Sequence, residues 1–152
     1  MKILDALDPG SVIADLKART KQEVLEELAA PVARLAKVEQ REVVEVLLER
    51  ERLGSTGIGG GIGIPHGKLK HLDQQIIGFG LSRKGVDFES LDGEPTRIFF
   101  LLMTPENSTG LHLKLLARIS RILKNEPFRE RLLQAKSAEE IHAIIKEEDE
   151  DF

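Results

Sequence analysis

The sequence has no cysteine, tryptophan or tyrosine among its 152 residues, and phenylalanine supplies all six of its large aromatic side chains. Without cysteine the chain forms no disulfide and offers no thiolate to a metal. No two histidines stand at the spacing of a zinc site, so we expect no metal ion. The lack of tryptophan and tyrosine disfavours a site that stacks sugars. Together with scattered lysines and arginines, it also disfavours a nucleic-acid-binding protein.

Long apolar stretches are also missing, and charged residues interrupt the first 30 positions, where a signal peptide would lie. We therefore expect a cytoplasmic protein with no membrane insertion. The formal net charge is −4, and an acidic run at 147–151 carries enough of the negative charge to leave the remainder nearly neutral. We expect residues 147–152 to form a disordered acidic tail, because such charge runs are usually solvated.

The length suits one domain, and no linker-like break divides it, so residues 1–152 are expected to fold as a single unit. Thr20 and Glu23 form a capping box that opens a helix, and Ser137 and Glu140 form another. The predicted helices are about 21–36, 40–52, 110–124, a short piece after Pro127, and 138–147. The predicted strands are about 58–65, 76–82 and 97–104. This alternation indicates an α/β fold.

Residues 53–69 contain seven of the 13 glycines and place His66 between a proline and a glycine. Glycine lets backbone N–H groups converge on an anion such as a phosphoryl group, and Ser55 and Thr56 add hydroxyl donors. Ile62 and Ile64 share a strand face with His66, so we expect the imidazole to be partly desolvated. Loss of solvent favours the neutral, nucleophilic ring. Leu53, Ile58 and Leu69 are expected to form an apolar rim around this loop.

Two known phosphate-binding loops fail on spacing. A Walker loop ending at Gly67 and Lys68 would need glycine at position 62 and serine or threonine at 69, where the chain has isoleucine and leucine. The dinucleotide-binding glycine pattern fails at Ile62, Ile64 or His66, depending on where it begins. Neither ATP nor a nicotinamide dinucleotide is therefore supported as a cofactor.

The glycine loop and four further segments resemble the fructose/mannitol-type enzyme IIA domains of the bacterial phosphoenolpyruvate-dependent phosphotransferase system. The segments that carry the resemblance are Leu48-Glu-Arg-Glu51, Gly54-Ser-Thr-Gly-Ile-Gly59 with Gly61-Ile-Gly-Ile-Pro-His-Gly-Lys68, Leu91-Asp-Gly-Glu-Pro95, Phe99-Phe-Leu-Leu-Met-Thr-Pro105 and His112-Leu-Lys-Leu-Leu-Ala117. The resemblance implies a mixed sheet of about five strands flanked by helices. It also implies that His66 accepts a phosphoryl group, His112 is the second active-site histidine and Arg50 is the charge partner. We expect Ser55, Thr56, Gly57 and Gly67 to form the phosphoryl-binding loop.

The residues considered without the family leave structural alternatives open. His66 fits a core histidine beside a tight turn almost as well as a nucleophile. His112 shares a helix face with Leu116 and Ile119, which is typical of a purely structural histidine. Arg50 ends a helix, where a basic side chain offsets the helix dipole.

The resemblance implies a cytoplasmic phosphocarrier in which Nε2 of His66 takes a phosphoryl group from the phosphohistidine of a small HPr-type protein. No cofactor is required, since the donor already carries the activated group. The loop sequence is most similar to the nitrogen-regulatory branch, in which the phosphorylation state controls partner proteins. A sugar-specific IIA that passes phosphate to a separate IIB protein stays open as an alternative. A module that binds anions without being modified is the alternative from another class.

Overall fold

The computed structural model describes residues 1–151, and a mixed six-stranded β-sheet forms its centre. The strands are β1 (Leu7–Ile13), β2 (Gly57–Gly59), β3 (Ile62–Gly63), β4 (His66–Leu69), β5 (Ile76–Val86) and β6 (Thr96–Pro105). The helices are α1 (Lys21–Ala36), α2 (Gln40–Glu51), α3 (Thr109–Ile122), α4 (Glu126–Gln134) and α5 (Ala138–Asp151), and a 3-10 turn spans Ile3–Asp5. The expected α/β architecture with helices flanking a mixed sheet is confirmed.

The sheet runs in the order β1, β5, β6, β3, β2, and β4 pairs with β6 beyond β3. β5 and β6 are antiparallel, whereas β1 pairs with β5, and β3 and β4 pair with β6, in parallel. The parallel pairing of β4 with β6 sets His66 opposite Leu102 and Lys68 opposite Thr104. This register places the segment that contains His66 beside the carboxyl-terminal half of the central strand β6.

Helices cover both faces of the sheet, which explains the unbroken apolar run in β6. Ile98, Phe100 and Leu102 pack into a core formed with α3, α4 and α5. The alternate residues of the same strand, Phe99, Leu101 and Met103, pack into a second core formed with α1 and α2. A strand buried on both faces reads as a continuous apolar segment because side chains alternate sides.

The glycine-rich segment forms three short strands, where the sequence predicts one continuous strand at 58–65. Gly59, Gly60 and Gly61 all have positive φ, between 65° and 98°, and turn the chain between β2 and β3. Non-glycine residues rarely adopt such angles. Splitting the segment in this way brings the sheet to six strands.

The capping box that opens α1 is confirmed. The Glu23 N–H donates to Thr20 Oγ1 at 3.2 Å, and the Thr20 N–H donates to Glu23 Oε1 at the same distance. The helix continues through Pro31 to Ala36. Local hydrogen bonding of this kind is visible in sequence because donor and acceptor are three residues apart.

The expectation of a disordered acidic tail is wrong for residues 147–151, which continue α5. Asp149 is only 1% exposed. Its Oδ1 accepts from Arg118 Nε at 2.7 Å, and its Oδ2 accepts from the Leu4 N–H at 3.1 Å. A buried carboxylate with an arginine and a backbone donor holds the last helical turn against α3 and the N-terminus. Residue 152 lies outside the described part of the chain.

None of the helices formed by residues 1–151 combines the length and the apolar content needed to span a membrane.

Candidate functional site

Three elements from separate parts of the chain meet in one shallow groove. The end of α2 supplies Arg50, the first residue of β4 is His66, and the first turn of α3 supplies His112. All three side chains line a groove of about 700 Å³, together with Gly67 and Lys68. The structure therefore brings together the three residues that the resemblance selects.

The ring of His66 is held by a hydrogen bond at each nitrogen. Nδ1 lies 2.7 Å from the carbonyl oxygen of Ile64, and Arg50 Nε donates to Nε2 at 3.2 Å. Because a carbonyl oxygen only accepts, Nδ1 carries the proton and Nε2 presents its lone pair. The geometry thus selects the tautomer in which Nε2 can act as a nucleophile.

Burial lowers the pKa of His66 below its ordinary value of 6.5, and the positive charge of Arg50 acts in the same direction. The hydrogen bond to Ile64 and the negative charge of Glu51 oppose this change without reversing it. The ring is consequently neutral at pH 7, as nucleophilic attack requires.

Arg50 has a second anchor besides His66. Its Nη1 donates to the carbonyl oxygen of Gly54 at 3.0 Å, just beyond the end of α2. The guanidinium is therefore positioned by the same glycine-rich connection that leads into β2. A planar group with several donors in this position suits phosphoryl oxygens.

His112 is nearly buried and faces His66. The two ring centroids lie 5.5 Å apart, with the planes inclined at 59°. Thr104 Oγ1 is 2.6 Å from His112 Nδ1, which ties the ring to the end of β6. Burial, followed by repulsion from the protonated form of His66 and from Lys68, lowers the pKa of His112 to about 4 from 6.5. This histidine is also neutral at pH 7.

The loop residues expected to bind the phosphoryl group do not all reach the groove. Ser55 Oγ donates to the carbonyl oxygen of Phe88 at 2.9 Å and accepts from the Gly57 N–H at 3.0 Å. Thr56 is 4% exposed, and its hydroxyl and N–H both bond to Glu51. Ser55, Thr56 and Gly57 are not among the residues that line the groove. Their part in phosphoryl binding stays a prediction.

Gly67, the fourth loop residue, does line the groove and sits where β4 approaches α2 closely. A Cβ at this position would collide with Cγ1 of Val46 on α2. Glycine therefore permits the close approach of β4 to α2 that brings Arg50 next to His66, because a larger residue would have to displace the Val46 side chain.

The rim of the groove differs from the expected one. Leu53 is 83% exposed and Leu113 is 59% exposed, and both line it. Leu69 is buried in the core beneath α1 and α2, and Ile58 does not line the groove. The expectation that Leu69 belongs to the rim is therefore wrong. β4 turns its apolar end inward, which only the tertiary packing reveals.

Sequence analysis does not identify two charged features that the structure places at the site. Lys68 lies two residues after His66 on the same strand face and donates to Thr109 Oγ1 at 2.8 Å. The spacing from His66 was the signal available. Glu42, Glu45 and Glu49 share one face of α2 and give the groove an acidic wall. Within residues 1–151, no cluster of three or more histidine, aspartate or glutamate side chains is arranged to hold a metal ion.

Comparison with known proteins matches residues 5–148 to the family described as "Phosphoenolpyruvate-dependent sugar phosphotransferase system, EIIA 2". A nitrogen regulatory protein of Bradyrhizobium diazoefficiens is 41% identical over 95% of both chains. The fructose-specific EIIABC component of Bacillus subtilis is 37% identical over 98% of this chain, which corresponds to 24% of that protein. The crystal structure of the nitrogen regulatory protein IIA-Ntr from Neisseria meningitidis superposes with a TM-score of 0.87. It is 35% identical, with 93% of this chain and 97% of that chain covered.

Proposed function

Since the chain belongs to the EIIA 2 family of the phosphoenolpyruvate-dependent sugar phosphotransferase system, we propose that it is a phosphocarrier whose His66 accepts a phosphoryl group. The donor is the phosphohistidine of an HPr-type protein. The observation that carries this proposal is the pair of hydrogen bonds made by the His66 ring. The bond to the Ile64 carbonyl places the proton on Nδ1, and the bond from Arg50 shows that Nε2 presents a lone pair.

Transfer is an in-line displacement at phosphorus. Nε2 of His66 forms a bond to phosphorus while the bond between phosphorus and the donor's ring nitrogen breaks, and the donor imidazole keeps that electron pair. The positive charge that develops on the His66 ring is stabilised through the Nδ1 hydrogen bond to Ile64. No oxidant, metal or nucleotide enters this balance.

Arg50 changes partner during the reaction. In the resting site its Nε donates to the same lone pair that must attack phosphorus. It therefore releases Nε2 and donates to a phosphoryl oxygen, while its contact with Gly54 keeps the guanidinium in place. The Nδ1 of His112 is held by the Thr104 hydroxyl, and in the tautomer in which Nδ1 accepts from Thr104 the proton on Nε2 is donated to a second phosphoryl oxygen. Positioning and charge stabilisation supply most of the catalysis of such transfers.

The test of this proposal is phosphorylation from the start of the relay. Purified protein is incubated with phosphoenolpyruvate, enzyme I and an HPr-type carrier, and its intact mass is measured. We expect one acid-labile phosphoryl group on the wild type and none on His66→Ala. His71→Asn removes an exposed histidine outside the groove and serves as the matched control. A phosphorylated His66→Ala protein, or an unmodified wild type beside a charged carrier, contradicts the proposal and leaves non-covalent anion binding.

For the biological role we propose nitrogen-type regulation. The support is the full-length match to a nitrogen regulatory protein at 41% identity and the close superposition on IIA-Ntr. Phosphorylation would place about −1.5 to −2 charges beside the exposed Leu53 and Leu113. A partner that packs on these leucines would have to desolvate that charge, so it should distinguish the two forms.

A sugar-transport role is the second candidate, favoured by the match to a fructose-specific component at 37% identity. Pull-downs from the native cell extract with His66→Ala and with fully phosphorylated protein separate the two roles. Capture of a partner that binds one form strongly and takes no phosphate supports regulation. If the only phosphorylation-sensitive partner is a IIB protein that accepts the phosphoryl group, the sugar-transport role is correct.

A further inference from the structure

Glu51 follows Arg50 in the chain but turns its side chain into the protein. The residue is 8% exposed, and its Oε1 accepts from Lys21 Nζ at 2.8 Å. The same oxygen accepts from the Thr56 N–H at 3.0 Å, and Oε2 bonds to the Thr56 hydroxyl. The carboxylate therefore ties the end of α2 to the start of the glycine-rich hairpin.

A path of hydrogen bonds leads from this carboxylate to Nδ1 of His66. The carbonyl of Thr56 accepts from the Ile64 N–H at 3.0 Å, and the carbonyl of Ile64 accepts from His66 Nδ1 at 2.7 Å. Nε2 accepts from Arg50, the chain neighbour of Glu51. Two adjacent residues of α2 therefore connect to opposite sides of the His66 ring, Arg50 directly and Glu51 through Thr56 and Ile64.

We propose that Glu51 is a positioning residue for His66, acting through the backbone of Thr56 and Ile64 to hold the imidazole in its Nδ1-protonated orientation. Glu51 touches no reacting atom. The proposal rests on the proposed phosphocarrier function only for its rate measurement. Small losses of orientation matter because an in-line transfer needs the attacking lone pair aligned with phosphorus.

A purely stabilising role explains this carboxylate less well. A buried ion pair such as Glu51 with Lys21 adds little net stability, because desolvation offsets the attraction between the charges. A carboxylate that also binds a backbone N–H and a hydroxyl of one residue instead specifies a local conformation. The conformation in question is the entry to the hairpin whose second strand leads to His66.

Glu51 could also act through its charge, since that charge favours the protonated form of His66 and so raises its pKa.

Three substitutions of Glu51 separate the effect of its charge from the effect of its side-chain length. Glu51→Gln keeps the length and an acceptor oxygen for the Thr56 N–H but removes the charge. Glu51→Asp keeps the charge but shortens the reach by one methylene. Glu51→Ala removes both. The charged or titratable groups around the His66 ring in all variants are Arg50 on α2, Lys68 on β4 and His112 on α3, of which His112 is neutral at pH 7.

The experiment measures two quantities for each variant. The first is the Nδ1–H population of His66, from ¹⁵N NMR of histidine-labelled, unphosphorylated protein at a pH where the ring is neutral. The second is the initial rate of phosphorylation by the charged carrier, followed by intact mass. Asp149→Ala is the matched control, since it removes another buried, arginine-paired carboxylate that also accepts from a backbone N–H.

We expect Glu51→Gln to keep the wild-type tautomer and most of the rate. Glu51→Asp and Glu51→Ala should shift His66 toward the Nε2–H form and slow transfer by about 10- to 100-fold, the range found when outer residues that orient a metal-binding histidine are removed. Asp149→Ala should lose stability and change neither quantity. If Glu51→Ala does not fold, the comparison of Asp with Gln decides the question.

Two results would overturn the proposal: a wild-type tautomer in Glu51→Asp and Glu51→Ala, or a Gln variant as slow as the Ala variant while the Asp variant keeps the wild-type rate. The second would assign the effect to charge. Failure of the wild type to take up phosphate would overturn the proposed function instead, and the NMR measurement would still test the positioning role.

Discussion

The stability of this protein should depend on pH through His112 in a way that can be worked out from the structure. Burial, with repulsion from the protonated form of His66 and from Lys68, lowers the pKa of His112 to about 4, whereas the unfolded chain restores the ordinary value of 6.5. Between these values the unfolded state binds a proton that the folded state rejects. The free energy of unfolding must therefore fall as the pH falls below 6.5, until the folded protein also protonates near pH 4.

The size of the effect follows from the two pKa values. Crossing the whole range from 6.5 to about 4 is worth about 3 kcal/mol. About 2 kcal/mol of this falls between about pH 7 and about pH 5, where most carboxylates are still ionised. For a domain of this size, about 2 kcal/mol shifts the melting temperature by roughly 4–8 °C.

The assay is urea unfolding of the wild type and His112→Asn at both pH values. Asparagine does not titrate and can still hydrogen-bond Thr104. The loss of unfolding free energy on acidification should be about 2 kcal/mol smaller in the variant than in the wild type, whatever its stability at pH 7. Contributions from carboxylates distant from His112 cancel in this difference, whereas His66 is coupled to His112 by charge and its contribution is part of the measured value. Equal losses in the two proteins would refute the reasoning and show that His112 keeps its ordinary affinity for protons in the fold.

Three further changes test other parts of the structure. Arg50→Ala should slow phosphoryl acceptance, followed by intact mass over time, by about 10²- to 10³-fold because it removes a preorganised donor; a wild-type rate would exclude Arg50 from the mechanism. Gly67→Ala should cost about 1 to 3 kcal/mol in urea unfolding because its Cβ collides with Val46, and an unchanged midpoint would contradict the close approach of β4 to α2. Asp149→Ala should cost about 2 to 3 kcal/mol, since it leaves the Leu4 N–H without its acceptor. A neutral effect would restore the solvated-tail interpretation.

The sequence could predict those features whose partners lie close together in the chain. The capping box of Thr20 and Glu23 spans three residues, so both of its partners can be recognised in the local sequence. The apolar run of β6 indicates a strand buried on both faces. Such signals establish the α/β class and most element positions without any knowledge of tertiary contacts.

Strand β1 shows where local signals fail. Its sequence contains Asp8, Pro9 and Gly10, which are typical of a turn, and no strand was predicted there. In the structure these residues form an exposed irregularity, and the flanking Leu7 and Val12 pair with β5 in parallel. The pairing partner lies some 70 positions away, so only the assembled sheet makes this segment a strand.

For the candidate site too, some features follow from the sequence and others only from the tertiary structure. The resemblance of the glycine loop and its companion segments selected His66, His112 and Arg50 from the sequence, and the fold places them in one groove. Periodicity alone selected neither Arg50 nor His112 over a structural role. The hydrogen bond that His66 Nδ1 donates to the Ile64 carbonyl, and the one that Nε2 accepts from Arg50, decide which nitrogen carries the proton. Both contacts exist only after β4 has docked between β6 and α2.

Tertiary structure alone also decided the role of buried charge. Glu51 and Asp149 read in sequence as two more acidic residues in charged helix ends. Each becomes a structural anchor because its partners, Lys21 and Thr56 for one, Arg118 and Leu4 for the other, come from different elements. A carboxylate is solvated unless donors converge on it, and convergence of donors is a property of the fold rather than of the local sequence.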